Sequence, residues 1–422
     1  MSAGAMKSNA DARRAGPAER TTAGVGLAIL VAALGYFVDI YDLILFSIVR
    51  VTSLRAIGVP EAELLDRGVL LLNMQMGGML VGGVLWGVLG DKRGRLSVLF
   101  GSIFLYSLAN LANAFVHDVP TYAALRLIAG IGLAGELGAG ITLVSELMHR
   151  ESRGYGTTII ATIGICGAVV AALVGEAFDW RTAYLVGGAL GIALLALRIG
   201  VYESGMFEQV KQAGVARGNF LSLFARRERA RRYVAVILIG VPIWYVVGIL
   251  VTFSPEFGSA MAMAEPPSAG RAVMYTYIGL ALGDLASGAA SQVWRSRKRI
   301  VGAFLGLTVL GVAAYFTIAP SSLVAFYAVC VALGIATGYW AVFVTIASEQ
   351  FGTNIRATAT TTVPNFVRGA VVLLTSVFQL AKPALGVVGS GIAVGAVALA
   401  VAFASLRGLD ETFGRDLDFV EE

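Results

Sequence analysis

The sequence consists mainly of continuous apolar runs separated by short polar stretches. A helix of about 20 apolar residues spans the hydrocarbon core of a bilayer while satisfying its own backbone hydrogen bonds. Of the 422 residues, 57% are hydrophobic and 14% are charged, too few charges for the polar surface of a soluble enzyme. The same composition excludes disorder, and unbroken runs exclude an outer-membrane barrel, whose strands alternate apolar and polar residues. The sequence therefore predicts an all-α integral membrane protein.

The apolar runs predict twelve transmembrane helices in two pseudo-symmetric sets of six. The expected spans are 22–49, 67–90, 96–116, 119–148, 154–176 and 181–202, followed by 232–254, 271–294, 300–319, 321–350, 357–380 and 384–406. The longest polar stretch, 203–231, is expected to be a cytoplasmic linker between an N-terminal half, 22–202, and a C-terminal half, 232–406. Residues 1–21 lack the apolar core and cleavage site of a signal peptide, so we expect the first helix to be retained.

The basic residues predict the orientation in the membrane. Most of the 32 Lys and Arg residues fall on the side of the N-terminal tail, and few, such as Arg50 and Arg271, fall on the other. Lys and Arg accumulate in cytoplasmic loops. We therefore expect both tails, 1–21 and 407–422, to be cytoplasmic in a multi-pass protein of a plasma membrane, the inner membrane of a bacterium.

A short pattern recurs at the inner end of the fourth helix of each half. Ser145-Glu146 is followed by Arg153, and Ser348-Glu349 is followed at the same spacing by Arg356. The same offset carries Gly135 onto Gly338. Repeated halves are the architecture of many secondary transporters. We expect salt bridges at this inner face that hold one conformation closed, formed by Glu146, Arg153, Glu349 and Arg356.

The loop between the second and third helices reads Gly-Val-Leu-Gly-Asp-Lys-Arg-Gly-Arg over residues 87–95. Glycine allows a tight turn, an acid suits a helix N-terminus, and cations suit the inner membrane surface. The loop resembles the signature of the major facilitator superfamily, which implies that fold and a gating role for Gly87, Asp91, Lys92, Gly94 and Arg95. Arg126-x3-Gly130-x-Gly132 is similar to a second motif of that superfamily. The matching loop of the second half, 291–299, is degenerate, with Gln292 at the position of the Asp.

Subfamily resemblances point in two directions. The stretch 132–138 resembles one in metabolite:proton and monocarboxylate or sialate symporters. Residues 202–204 and 409–415 resemble the segments that close each half of sugar porters. The Gly-Pro-rich motif of drug:proton antiporters is missing from the fifth helix, where 164–167 contains no Pro, and this argues against drug export.

Several charged residues lie inside the predicted helices of the first half. Asp39 and Asp42 share a helix face, and two carboxylates so close in a low dielectric do not both ionise easily, which suits proton exchange. Arg126 lies at comparable depth in the fourth helix, and the resemblance to sugar and phosphate symporters implies that such an Asp–Arg pair carries the proton. Glu136, in the same helix, is a candidate relay. The alternatives are a purely structural Asp–Arg pair and a hydrogen-bonded packing role for Glu136.

The second half contributes Arg368, Asn365 and Asp284. An Arg in a water-filled cavity reads as an anion clamp, because its fork matches a carboxylate. The alternative is a permanent Asp284–Arg368 pair. The remaining candidate substrate-binding residues are more often packing residues in a helical bundle, namely Tyr36, Gln75, Trp244, Tyr245, Tyr339 and Trp340.

These features predict a secondary transporter that works by alternating access as a proton symporter of a small organic anion such as a monocarboxylate. The alternatives are a proton-coupled sugar or polyol porter, an exporter running as a proton antiporter, and a membrane sensor. No catalytic triad, metal site or Walker-type phosphate loop is apparent, so we expect neither an enzyme nor an ATP-driven pump. The two cysteines and two histidines suggest no metal or cofactor. The expected partners are a small-molecule substrate, protons and the lipid bilayer. We expect no nucleic-acid partner, and we expect the protein to be a monomer.

Overall fold

The computed structural model describes residues 22–93, 95–138, 153–203, 220–352 and 355–415, and every regular element within these ranges is a helix. The α-helices, numbered in chain order, are α1 Thr22–Ala56, α2 Leu64–Arg93, α3 Arg95–Asn113, α4 Val119–Leu133, α5 Arg153–Ala177, α6 Trp180–Glu203, α7 Arg227–Tyr245, α8 Ser254–Ala260, α9 Ala269–Val293, α10 Arg297–Thr317, α11 Leu323–Thr337, α12 Trp340–Glu349 and α13 Arg356–Arg407. A π-helix, Val246–Val251, continues α7, and short 3-10 helices cover Glu61–Glu63, Phe220–Phe224 and Ala319–Ser321. The all-α prediction is confirmed.

Within the described ranges, eight helical stretches are long and apolar enough to cross a membrane. One of them, 50 residues of α13, contains both of the last two predicted spans. The two spans are separated at Gly386, whose backbone has a φ of 66°. Only glycine adopts this left-handed region without a steric cost, so Gly386 is where the long helix breaks.

The predicted fourth and tenth spans are both interrupted near the middle of the span. Helix α4 ends at Leu133 and the chain turns at Ala134 and Gly135, whereas α11 ends at Thr337 and α12 begins at Trp340. The glycines that repeat between the halves, Gly135 and Gly338, therefore mark these two breaks. Residues 139–148 of the fourth span lie outside the described residues.

Glycine lets helices pack backbone against backbone in both halves, and one such contact recurs between them. A Cβ on Gly130 of α4 would overlap the carbonyl oxygen of Gln75 in α2. In the second half, a Cβ on Gly334 of α11 would overlap the carbonyl oxygen of Thr276 in α9 in the same way. Small residues permit such close approach in membranes, where no hydrophobic effect drives helices together. The repeated contact confirms the pseudo-symmetric arrangement.

Replacing Gly130 by Ala tests this packing. The new methyl group has no space beside the Gln75 carbonyl, so we expect α2 and α4 to be forced apart at a cost of about 1–3 kcal/mol. Gly77→Ala is the matched control, because nothing lies within 4 Å of a Cβ at Gly77. Thermal unfolding in detergent should show a lower melting temperature for Gly130→Ala only. Equal melting temperatures for the two variants would show that the helices do not meet there.

Candidate functional site

Arg368 of α13 lies at the centre of the candidate site. Its side chain is fully buried. The Nη2 atom lies 3.6 Å from Oδ2 of Asp39 and donates a 3.4 Å hydrogen bond to the hydroxyl of Tyr36. Tyr36 and Asp39 are neighbours on one face of α1. The ion pair therefore joins the first helix of the N-terminal half to a helix of the C-terminal half.

Three aromatic rings surround this guanidinium. Its central carbon lies 6.0 Å from the ring centroids of Tyr36 and Trp244, and 5.5 Å from that of Trp340. Aromatic faces attract cations at such distances. Trp244 comes just before the π-helix and Trp340 is the first residue of α12. Interruptions of regular α-helix therefore place both tryptophans at this site.

The polar groups of this site are incompletely satisfied by the described residues. Arg368 Nε and Nη1 and Trp340 Nε1 are buried without a hydrogen-bond partner, as are both carboxylate oxygens of Asp39. A buried polar group left unpaired costs about 1–3 kcal/mol, and more when it is charged. Unpaired N–H donors of a guanidinium that lies between aromatic faces are suited to a carboxylate on a molecule with an aromatic ring. Among the described residues, no group of three His, Cys, Asp or Glu side chains could hold a metal ion.

The expected ion pair of Arg126 with Asp39 or Asp42 is not present among the described residues, and Asp39 pairs with Arg368 instead. Arg126 lies instead over the ring of Phe46, with 4.7 Å between the guanidinium carbon and the ring centroid. Phe46 is seven residues beyond Asp39 on α1, a rise of about 10 Å along the helix. Arg126 is therefore too far toward the outer end of the bundle to reach Asp39.

Arg126 belongs to a separate buried polar cluster within the first half. Its Nη1 atom donates to the hydroxyl of Tyr184 at 3.4 Å, and that hydroxyl lies 2.7 Å from the hydroxyl of Tyr122. Asp42 is within electrostatic reach of Arg126. Even so, among the ion pairs that the described part of the chain contains, none within 4 Å joins Asp42 to Arg126.

Glu136 forms a buried ion pair with Arg198 of α6. Arg198 Nη1 donates to Glu136 Oε2 at 3.0 Å, and Nη2 contacts Oε1 in a bidentate arrangement. The pair packs against Gly35 of α1, where any Cβ would overlap both side chains. Arg198 falls within the predicted span 181–202, but nothing in a linear pattern shows which helix faces it. The geometry favours a structural role for Glu136.

Removing one partner of this pair should destabilise the protein. Glu136→Gln leaves the Arg198 guanidinium buried without a counter-ion, which costs about 3–5 kcal/mol. A Glu136→Met/Arg198→Met double variant removes both charges and should recover much of the lost stability. Thermal unfolding of the three proteins in one detergent measures the effect. A Glu136→Gln variant as stable as the wild type would mean that the carboxylate is not needed by Arg198 and is available to relay protons.

Asp284 does not pair with Arg368 in the described structure, contrary to the expected alternative. Its Oδ1 atom accepts the backbone N–H of Ala341 at 2.7 Å, at the start of α12. Asn365 is also engaged elsewhere, since its Nδ2 donates to the carbonyl oxygen of Ala134 at 2.7 Å. Asn365 therefore links α13 to the break in the predicted fourth span.

The other candidate substrate-binding residues make hydrogen bonds to the main chain. The side chains of Gln75, Tyr245 and Tyr339 donate to the carbonyl oxygens of Leu43, Gly391 and Ile239, respectively. The first two bonds each connect two different helices, and the third connects the break before α12 to α7. These three side chains are therefore used in helix packing, whereas Tyr36, Trp244 and Trp340 meet at Arg368.

Only some of the predicted gating residues fall in the described structure. Gly94 and Glu146 lie outside the described residues, as do the side chains of Asp91, Lys92, Arg95 and Arg153. Gly87 of α2 faces Thr362 of α13, whose Cγ2 lies 3.6 Å from the position of a Cβ on Gly87.

The expected Glu349–Arg356 salt bridge is wrong. Glu349 pairs with Arg297 at 3.5 Å and accepts a hydrogen bond from Thr412. Arg356 Nε donates to the carbonyl oxygens of Ser348 and Phe351 at 3.1 Å. The chain turns after α12, so Arg356 satisfies carbonyls at the end of that helix, where cations are favoured.

At this inner end, the degenerate loop of the second half meets the closing segment 409–415. Glu411 accepts hydrogen bonds from Ser296 Oγ and from the backbone N–H groups of Arg297 and Lys298. Burial by itself raises the pKa of Glu411, but these hydrogen bonds at the start of α10 outweigh it and hold the pKa below its usual value. The two sequence motifs thus form one inner-face cluster.

The end of the bundle opposite the segment 409–415 contains an ion pair that could not be predicted from the sequence. Arg50 is fully buried, and its Nη2 atom lies 2.6 Å from Oε1 of Glu256 in α8. Nearby, Thr252 Oγ1 donates to Ser47 Oγ at 3.0 Å. Arg50 had been assigned to an outer loop because the apolar run ends at Val49, but α1 continues to Ala56. These contacts join the two halves on the outer side.

This arrangement agrees with the family to which the chain belongs. The chain belongs to the Major Facilitator Superfamily, whose model matches residues 32–376. It is therefore a multi-pass membrane protein of a transporter family and not an enzyme.

Among curated proteins, the chain is 32% identical over 41% of its length to the niacin transporter NiaP of Acinetobacter baylyi. It is also 32% identical over 39% of its length to the 3-(3-hydroxy-phenyl)propionate transporter of Escherichia coli. The matches cover 40% and 42% of those two proteins. The chain thus spans less than half the length of either relative.

The fold is similar to that of a solved proton:xylose symporter. The TM-score is 0.68 over 94% of this chain and 98% of that one, at 17% sequence identity. This likeness confirms the fold predicted from the loop motif and the repeated halves.

Proposed function

We propose that the protein is a secondary transporter that carries a small aromatic carboxylate together with a proton by alternating access. The observation that carries this proposal is the pair of unpartnered donors of Arg368, Nε and Nη1, on a guanidinium that lies between three aromatic rings and beside Asp39. The relatives named for niacin and 3-(3-hydroxyphenyl)propionate support the proposal, since each of those compounds contains both an aromatic ring and a carboxylate. The proposed substrate is therefore an aromatic member of the monocarboxylate class expected from the sequence.

Coupling follows from competition for one guanidinium. While Asp39 is ionised, it neutralises Arg368 across 3.6 Å. A substrate carboxylate that binds Arg368 brings a second negative charge into the same low-dielectric site, and like charges disfavour each other's ionisation. Protonation of Asp39 removes the conflict and frees the guanidinium for the substrate. Proton binding and anion binding therefore favour each other, which is the requirement for symport.

The other acids of the first half are less suited to this role. Glu136 is already neutralised by Arg198, and Asp42 lies toward Arg126 rather than Arg368. Asp39 lies in the first half and pairs with Arg368 of the second, so its charge affects the interface that moves during the cycle. We therefore assign the coupling proton to Asp39.

The closed outer end fits one state of such a cycle. Arg368 is fully buried, and the Arg50–Glu256 pair joins the halves above it. Opening toward the outside requires breaking this pair. In the proposed cycle, the halves 22–202 and 232–406 rock about Arg368, with the linker and both tails on the cytoplasmic side of a bacterial inner membrane.

Arg368→Lys tests the anion clamp. Lysine keeps the charge but loses the planar fork, so we expect binding of nicotinate to weaken by about 30-fold or more, corresponding to about 2–5 kcal/mol. Calorimetry on purified protein gives the affinity, and Arg271→Lys, an exposed outer-end arginine paired with Glu176, is the matched control. Nicotinamide has the same ring without the charge and should bind poorly to the wild type. Equal binding of nicotinate to wild type and Arg368→Lys, or equal binding of the two compounds to the wild type, would eliminate the carboxylate clamp.

Asp39→Asn tests the coupling site. The amide is permanently neutral, so substrate binding should stay tight at every pH, whereas wild-type binding should strengthen as the pH falls and Asp39 gains its proton. In proteoliposomes, the variant should exchange labelled substrate for unlabelled substrate but fail to accumulate it against a gradient when driven by pH. Asp42→Asn is the control and should keep the pH dependence of binding. Full pH-driven accumulation by Asp39→Asn would place the proton elsewhere, with Asp42 and then Glu136 as the next candidates.

A further inference from the structure

Asp284 lies against the break that separates α11 from α12. Its side chain is fully buried, and its Oδ1 atom accepts the N–H of Ala341 at 2.7 Å. The N–H of Trp340 also interacts with the carboxylate. The backbones are in contact as well, since a Cβ on Gly338 would lie 2.5 Å from the Cα of Gly283 and 2.6 Å from the backbone nitrogen of Asp284. Helix α9 therefore holds the break at two adjacent points.

The start of α12 depends on this carboxylate. The first N–H groups of a helix have no partner inside it and need an acceptor from elsewhere. Here the residues just before α12 are not helical: Gly338 has φ and ψ of −75° and 56°, and Tyr339 has −123° and 22°. A carboxylate at the N-terminus is also favoured by the helix dipole. Asp284 thus fixes the residue at which α12 begins and the direction in which that residue projects.

The residue at which α12 begins is Trp340, the ring closest to the Arg368 guanidinium. The ring centroid lies 5.5 Å from the guanidinium carbon, compared with 6.0 Å for Tyr36 and Trp244. Its indole Nε1 is buried without a partner. Behind it, Phe343 packs at 5.2 Å between ring centroids and supports one side of the indole. The position of this indole therefore depends on a side chain from α9 that does not itself pair with Arg368.

We propose that Asp284 is a positioning residue that makes the site prefer aromatic over aliphatic carboxylates, by holding Trp340 beside Arg368. The inference rests on the proposed function, because it concerns the selectivity of that same site. It gives Asp284 a role that needs an acceptor oxygen rather than a negative charge. Asn therefore replaces Asp284 without loss of this role, whereas Ala does not.

The test compares two probes of similar size, benzoate and cyclohexanecarboxylate, by calorimetry on the full-length protein. An aromatic contact of this kind favours the aromatic ligand by roughly threefold to tenfold. We expect Asp284→Ala to remove that preference while cyclohexanecarboxylate binds as in the wild type, and Asp284→Asn to retain it. Trp340→Leu should have the same effect as Asp284→Ala. The double variant should show no further loss of the preference, because both changes remove the same contact between the Trp340 indole and the ligand ring.

Asp118→Ala is the matched control. Asp118 is likewise a carboxylate that caps a helix, accepting the N–H of Thr121 at 2.8 Å, but it lies at the start of α4 on the surface. Its removal should leave the preference unchanged. If Asp284→Ala does not fold, Gly338→Ala is the second route, because its methyl group displaces the break from Asp284 and should also lower the preference.

The outcomes separate the two proposals. A wild type that binds benzoate and cyclohexanecarboxylate equally would contradict the aromatic-carboxylate function itself. A wild-type preference that persists in Asp284→Ala, or in Gly338→Ala when that variant is used, would overturn this inference alone. A preference lost equally in Asp284→Asn and Asp284→Ala would also overturn it, since the charge and not the acceptor oxygen would then be what matters.

Discussion

A guanidinium buried in a membrane protein needs a negative charge close to it, and the centre of this molecule is arranged around that requirement. Arg368 comes from α13, and the anion that meets it, Asp39, comes from α1. Ionised side chains in a low dielectric are costly unless they are paired. The pair therefore connects the two halves, and in the proposed mechanism a substrate anion binds there by taking the place of Asp39.

Much of the fold could be predicted from the sequence, because its causes are local. Apolar runs of bilayer length indicate transmembrane helices whatever their neighbours are, and the loop at 87–95 with the repeated glycines indicates the two related halves. Several members of the central site were also recognisable. A charge such as Arg368 or Asp39 inside an apolar run is conspicuous, because the membrane makes it expensive.

The partners of those charges could not be predicted, because pairing depends on how each helix is rotated and at what depth it lies. Asp39 faces Arg368 and not Arg126. Arg126 lies beside Phe46, which is about two turns beyond Asp39 on α1. Glu136 faces Arg198 for the same reason. The predicted end of α1, at residue 49, is also too early, because the apolar run stops just before Arg50. The buried role of Arg50 was therefore not predicted. Composition alone does not distinguish a loop arginine from one whose charge is neutralised inside the bundle by Glu256.

The single guanidinium at the centre also determines how the proposed cycle responds to voltage. In the proposed mechanism Arg368 binds one carboxylate at a time, and each substrate carboxylate that displaces Asp39 moves with the one proton that Asp39 then holds. A monovalent anion moving with one proton carries no net charge. The transmembrane potential then does no work on the translocation step, so the gradient of pH alone sets the limit of accumulation, and a depolarised cell retains its uptake.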